Sequence, residues 1–228
     1  MREIVFDTET TGLDPRTGDR MVEIGCVELV NLVPTGATYH AYFNPERDMP
    51  AGAEAVHGLS SVFLADKPLF RDSAAALLDF IADSPLIAHN AGFDFAFLNA
   101  ELTLCELEIV CTSRMVDTVA MAKRKHPGAK LSLDALCTRY GIDRSHRVKH
   151  GALLDAELLA QVYVELKGGR QIGLELASEA APVAIAAGIV RKPPEGRRRD
   201  PRPHVASAEE LARHRAFVGG MKAPIWGT

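Results

Sequence analysis

Three extended apolar segments crowd into the first 43 residues with short stretches between them, and this spacing limits the chain to a few folds. Arg2–Phe6 carries Ile4, Val5 and Phe6 in a row. Met21–Val30 places apolar residues at Met21, Val22, Ile24, Cys26, Val27, Leu29 and Val30, the pattern of a strand with one face mostly buried. Gly36–Phe43 is the third. Thr11-Gly12-Leu13-Asp14-Pro15 supplies turn chemistry after the first. Segments this closely spaced predict an antiparallel run of all three strands. They argue against a simple doubly wound series, which needs a crossover helix between successive parallel strands.

The helical period enters only afterwards. Ser73–Ala82 sets Ala76, Leu77, Phe80 and Ile81 on one stripe, and Pro85–Ala88 is a brief apolar strand. Phe93–Leu104 is a helix expected to turn Phe93, Phe97, Leu98, Leu102 and Leu104 mostly inward. Shorter helices are expected near Val116–Lys123 and at Leu133–Tyr140. A long one spans Ala152–Leu166 and is ended by Gly168-Gly169. Strands first, then a strand among helices, predict an α/β domain over residues 1–169, with a mixed central sheet flanked by helices.

Composition changes after that domain. Residues 170–207 read as a flexible linker, rich in Ala, Pro, Gly and Arg from 177 onward, with Arg197-Arg198-Arg199 near its end. Residues 208–228 form a C-terminal segment with a short helix over Ala208–Val218, then Ile225 and Trp226. Trp226 lies in a polar tail with no core of its own, as expected either of an anchor for a partner or of a disordered tail.

The net charge of -4 excludes a protein that grips nucleic acid by a basic surface alone. Cys26, Cys105, Cys111 and Cys137 form no C-x-x-C pair and have no His at zinc-finger spacing, so reduced thiols in a cytoplasmic protein are expected. Arg2 and Glu3 run straight into a strand, so no signal peptide is visible. No apolar run approaches the roughly 18 residues needed to span a bilayer, and no membrane association is expected.

The chemistry-bearing residues fall in three groups. Asp7 and Glu9 are two apart, so if the first strand continues through them both point to one face. Alone, such a pair reads as two solvated acids near a turn. Held together at a strand end, they repel unless a cation lies between them, and oxygen ligands suit Mg²⁺ or Mn²⁺ better than zinc. The second group is His89-Asn90-Ala91-Gly92-Phe93-Asp94, where a strand gives way to a helix. Asn90 there suits an N-cap, and Asp94 suits either a cation or the helix dipole. The third is His150-Gly151-Ala152-Leu153-Leu154-Asp155, with His150 on a loop and Asp155 beside the apolar side of the last long helix. A carboxylate in that position is expensive unless something binds it.

Together, the patterns D-x-E, N-x-x-F-D and H-x-x-x-x-D in this order resemble the DEDDh 3′→5′ exonucleases over about residues 3–170. Val56-His57-Gly58-Leu59 and Leu133-Asp134-Ala135-Leu136-Cys137 are most similar to the proofreading branch that serves bacterial DNA polymerase III. The resemblance implies a ribonuclease H-like exonuclease fold. It implies two divalent cations, Mg²⁺ or Mn²⁺, held by Asp7, Glu9, Asp94 and Asp155, with His150 taking the proton from the attacking water. It points to Thr10, Leu13, His57 and Phe93 around the terminal nucleotide of a single-stranded or frayed 3′ DNA end, residues that alone read as a turn residue, a core leucine, a surface histidine and a core phenylalanine. Asn90 either shapes that pocket or caps its helix, and Asp117 is either a supporting acid or a cap.

Gln171-Ile172-Gly173-Leu174-Glu175-Leu176 resembles the Q-x-x-L-x-Φ peptides that dock in sliding clamps, with Gln171, Leu174 and Leu176 as anchors. Trp226 would then belong to the segment that binds the polymerase catalytic subunit. Two other readings remain open at this stage: a stand-alone DEDDh exonuclease acting on RNA or in DNA repair, and a non-catalytic tethering module.

Overall fold

A computed structural model describes residues 1–145, 150–169 and 206–222. The chain divides into two compact units, residues 1–176 and 177–228.

The first unit is built on a five-stranded sheet in the order β3-β2-β1-β4-β5. Strands β1 (Arg2–Thr10), β2 (Met21–Val30) and β3 (Val33–Tyr42) form the expected antiparallel run. Strand β4 (Leu86–Ala88) lies parallel to β1, and β5 (Met115–Asp117) lies parallel to β4. Strand β1 continues to Thr10 and so carries Asp7 and Glu9 within its ladder. Strand β3 begins at Val33 rather than Gly36, because Asn31 and Leu32 take positive φ and reverse the chain in two residues.

Helices cover both faces, which is why β1 reads as a nearly continuous apolar run. On one face Ile4, Phe6, Ile24, Cys26, Leu86 and Ala88 pack against α3 (Phe70–Ile81) and α4 (Ala91–Leu104). On the other, Val5, Val27, Leu29 and Ile87 pack against Ala156, Leu159, Ala160 and Tyr163 of α7 (Ala152–Leu166). Helices α5 (Thr118–Lys125) and α6 (Leu133–Tyr140) close over the outer side of α7 through Ala122, Leu136, Leu158 and Val162. Arg20 forks onto both oxygens of the buried Glu101 at 2.8 Å each, pinning α4 to the start of β2.

Several local expectations need correction. The segment near Val116–Lys123 is not one helix: Met115–Asp117 pairs with β4, and the helix starts only at Thr118. Three residues are too few to show a strand period. Leu104 is exposed, since it ends α4 beyond the sheet, and Phe93 is only partly buried. Helices α1 (Ala51–His57) and α2 (Ser61–Ala65) had no expectation, being a turn or two long.

In the second unit the described helix is α8 (Ala208–Gly219), opened by a capping box. The Ser207 hydroxyl accepts from Glu210 N, and Glu210 accepts from Ser207 N. Its Leu211 and Phe217 are exposed. Gln171, Leu174, Leu176 and Trp226 lie outside the described residues. No helix among the described residues is long and apolar enough to cross a membrane.

Candidate active site

The chemistry-bearing residues gather where β1 and β4 end and where α4 and α7 begin. Parallel neighbours in an α/β sheet open a crevice at their carboxyl ends, and helix N-termini point into it. Within β1, Val5, Asp7 and Glu9 alternate with Phe6 and Thr8. The first set faces α7 and the second faces α4.

Asp7 stands opposite Gly25 in the β1–β2 ladder, and Glu9 stands opposite Glu23. Gly25 is where α7 meets the sheet. A Cβ there would lie 2.2 Å from Leu153 N and 2.3 Å from its Cα, so only glycine lets the first turn of the helix come down beside Asp7. That turn delivers Asp155, which is buried at 3% exposure. His150, on the preceding loop, contacts Asp155 Oδ2 through Nδ1 at 3.1 Å. Glu9, His150 and Asp155 each offer a donor atom, and these atoms lie within 4.8 Å of one another. Glu23 beside them is also buried, and His40 Nε2 lies 2.7 Å from its Oε1.

Asp94 comes to the same end of β1 from the other face. It is 3% exposed and accepts a 2.8 Å hydrogen bond from the Thr8 hydroxyl. Burial pushes its carboxyl up to about 7, opposed by the Thr8 bond and helped by the nearby Asp117 charge. Asp7 and Asp94 are not members of the 4.8 Å group. The structure thus brings three of the five expected residues into ligand range, with Asp7 on the same end of β1 and Asp94 brought beside it by α4.

Of the expected nucleotide contacts, Leu13 and Phe93 line one groove of about 670 Å³, together with Pro15, Ala96, Phe97 and Ala100. Leu13 is 85% exposed, which core packing does not explain. His57 is buried at the end of α1, not on the surface, and its Nδ1 accepts from Leu59 N at 3.0 Å. The proton of a neutral His57 ring therefore sits on Nε2. Thr10 turns its hydroxyl to Gly12 O at 2.6 Å. Asn90 occupies the N-cap position of α4 but makes no side-chain cap bond; its backbone is left-handed, at φ 67°. Thr10, His57 and Asn90 do not line the groove.

The model of the exonuclease (RNase T) family matches residues 4–163, from the start of β1 nearly to the end of α7. The chain belongs to this exonuclease family. Curated relatives include the DNA polymerase III subunit epsilon of Rickettsia felis, 48% identical over 225 residues and covering 97% of each chain. That of Escherichia coli is 44% identical over 176 residues, covering 74% of this chain and 72% of the relative. Among solved structures, exonuclease X in complex with 5′ overhanging duplex DNA aligns at a TM-score of 0.55 and 25% identity, covering 72% of this chain and 89% of the other. The nuclease domain of 3′hExo, a DEDDh family member bound to rAMP, aligns at 0.63 and 17% identity, covering 73% and 91%, which shows the shared fold.

The exonuclease family depends on divalent metal, and the donors of this exonuclease fit that requirement. Two carboxylates and one imidazole within 4.8 Å, with Asp155 withdrawn from solvent, make an oxygen-rich set suited to a hard cation. Two supporting residues escaped the reading of the sequence. Thr8, the middle residue of D-x-E, had a signal: strand alternation turns it away from its neighbours toward the Asp94 face. Gly25 had none beyond being a glycine in an apolar strand.

Proposed function

We propose that this 3′→5′ exonuclease is the proofreading subunit of a bacterial replicative polymerase, removing nucleoside monophosphates from frayed 3′ DNA ends. What most supports the reading is Glu9, His150 and Asp155 meeting within 4.8 Å at the end of β1 in a chain of this family. Asp7, Glu9, Asp94 and Asp155 would hold two divalent cations, Mg²⁺ or Mn²⁺. When bound, such ions make water more acidic and stabilise charge on a departing oxygen. His150 accepts the proton of the attacking water. Its Nδ1 contact with Asp155 orients the ring, and Nε2 is the atom we assign to the transfer. Thr10, Leu13, His57, Asn90 and Phe93 hold the terminal nucleotide, with Leu13 and Phe93 giving its base an apolar surface.

Selectivity then needs no reading of the base, because a mismatched end unpairs at lower cost and only an unpaired end reaches the acids. The exonuclease domain occupies residues 1–169. Residues 170–207 act as a linker whose Gln171, Leu174 and Leu176 engage the sliding clamp. Residues 208–228, with Trp226, bind the polymerase catalytic subunit. The near full-length match to the Rickettsia felis subunit, which takes in this segment, supports a shared role for it. The protein works in the cytoplasm.

The test is hydrolysis of an oligonucleotide labelled near its 3′ end, paired or mismatched, with Mg²⁺, with Mn²⁺ and with a chelator. Faster loss of the mismatched end, abolished by chelator and by Asp7→Ala, is expected. Full cleavage in chelator would overturn the mechanism. Equal rates on both ends, or preference for RNA, would favour a stand-alone nuclease.

A further inference from the structure

The turn that presents Asp94 is held from outside. At Asn90 the chain takes φ 67° and ψ 50°, a region disfavoured for any residue with a Cβ, although Asn tolerates it better than most. No side-chain cap bond stabilises the turn locally. Instead, Asn90 N donates to Asp117 Oδ1 at 3.1 Å. Asp117 ends β5, where it pairs with Ala88. The next residue, Thr118, is fully buried. Its hydroxyl donates to Ala88 O at 3.1 Å and lies 2.9 Å from His89 Nδ1. Three consecutive residues, Ala88, His89 and Asn90, are thus tied to two consecutive residues of the neighbouring strand end. The turn leads at once into α4, where Phe93 N donates to Asn90 O at 2.9 Å and Asp94 follows.

Helix capping alone does not account for this arrangement. As the cap of α5, Asp117 needs only its 2.9 Å bond from Val119 N. The bond from Asn90 reaches a different element and fixes a left-handed residue four positions before Asp94. We propose that Asp117 is a positioning residue for hydrolysis: by holding the turn at Asn90 it sets where α4 starts, and so how Asp94 and Phe93 meet cation and nucleotide. This rests on the reading of Asp94 as a cation ligand.

The experiment titrates Mg²⁺ against exonuclease rate in the full chain, for wild type, Asp117→Ala, Asp117→Asn and Asp94→Ala, with thermal melts of each. Asp117→Ala should raise the half-saturating Mg²⁺ concentration and lower kcat by about 10-fold or more, the usual consequence of losing support for a metal ligand. Asp117→Asn keeps an oxygen acceptor for both N–H groups and should stay near wild type in both. If Asp117→Ala melts earlier but keeps the wild-type kcat and Mg²⁺ dependence, Asp117 is only a cap and the inference is overturned. An Asp117→Asn variant as impaired as Asp117→Ala would overturn it too, since charge rather than the hydrogen bonds would then matter. Full activity in Asp94→Ala would remove the underlying reading of Asp94, a failure visible without reference to Asp117.

Discussion

Asp94 shows what it means to bury an acid beside a sheet. Its carboxyl, ordinarily near 3.8, is held at about 7 chiefly by loss of solvent. The folded-state value is raised, so this group contributes stability that is complete below about pH 4 and lost as pH rises through 7. Melting temperature measured in chelator should therefore fall between about pH 4 and 7 and level off above, and Asp94→Asn should flatten the fall. Parallel curves for the two proteins would rule out Asp94 as the source. Thr8 opposes the shift by donating to the ionised oxygen at 2.8 Å. Thr8→Val keeps shape and removes that donor, so kcat should drop by roughly 10-fold or more while Thr8→Ser restores most of it. If Thr8→Val matches wild type at all Mg²⁺ concentrations, the bond has no role in orienting Asp94. At this scale the sequence was readable where residue type carries the chemistry: three distant acid motifs and one imidazole stand out against an ordinary composition. It was unreadable where role depends on direction. His57 and Leu13 look like a surface and a core residue in one dimension, and the fold exchanges them.

Among elements, the decisive contact is α7 on β2. The helix reaches Asp7 only because Gly25 has no side chain, and a methyl group there would sit about 2.2 Å from the backbone of Leu153. Neither partner in that contact is a flexible side chain, so nothing can swing aside. Gly25→Ala should push the start of α7 off the sheet, carrying His150 and Asp155 away from Glu9. Overpacking of this kind destabilises by about 1–3 kcal/mol, and activity should fall further than stability does because the ligand spacing is lost. Denaturant unfolding alongside single-strand hydrolysis would measure both, and an Ala variant with normal activity would refute the account. The long elements were visible in the sequence for a physical reason. α6 buries one stripe around Leu136 and Cys137, which writes a helical period, whereas β2 and α7 are buried on two faces, not the single face expected of β2, and stand out as long, dense apolar runs. β4 and β5 are three residues each: β4 is fully buried and reads as a brief apolar run, but β5 is only partly buried and has no pattern of its own. Strand β5 therefore reads as part of the following helix, which hides Asp117 and Thr118 as a pair facing the turn after β4.

For the whole molecule, the question is whether catalysis needs anything beyond the first unit. Every acid of the candidate site, its supporting Thr8 and Gly25, and both faces of the core fall within residues 1–166. The compact unit itself closes by residue 176. A protein cut after Leu176 should therefore fold, melt close to the full chain, and hydrolyse single-stranded DNA at a similar rate. It should lose the polymerase subunit in co-purification, because the cut removes the segment proposed to bind it, in which Leu211 and Phe217 are exposed on α8. Co-purification should be restored by supplying a fusion of residues 177–228 to an unrelated carrier, which would pull down the polymerase without nuclease activity. Polymerase binding retained by the truncated protein would place the interface on the exonuclease domain instead. The net charge of -4 adds a consequence for rate. A nuclease of net negative charge gains little overall electrostatic steering toward DNA, so attachment to a polymerase already at the primer end would raise its local substrate concentration far more than added charge could. The truncated protein should accordingly match the full chain on free oligonucleotides and lag behind it only when polymerase is present.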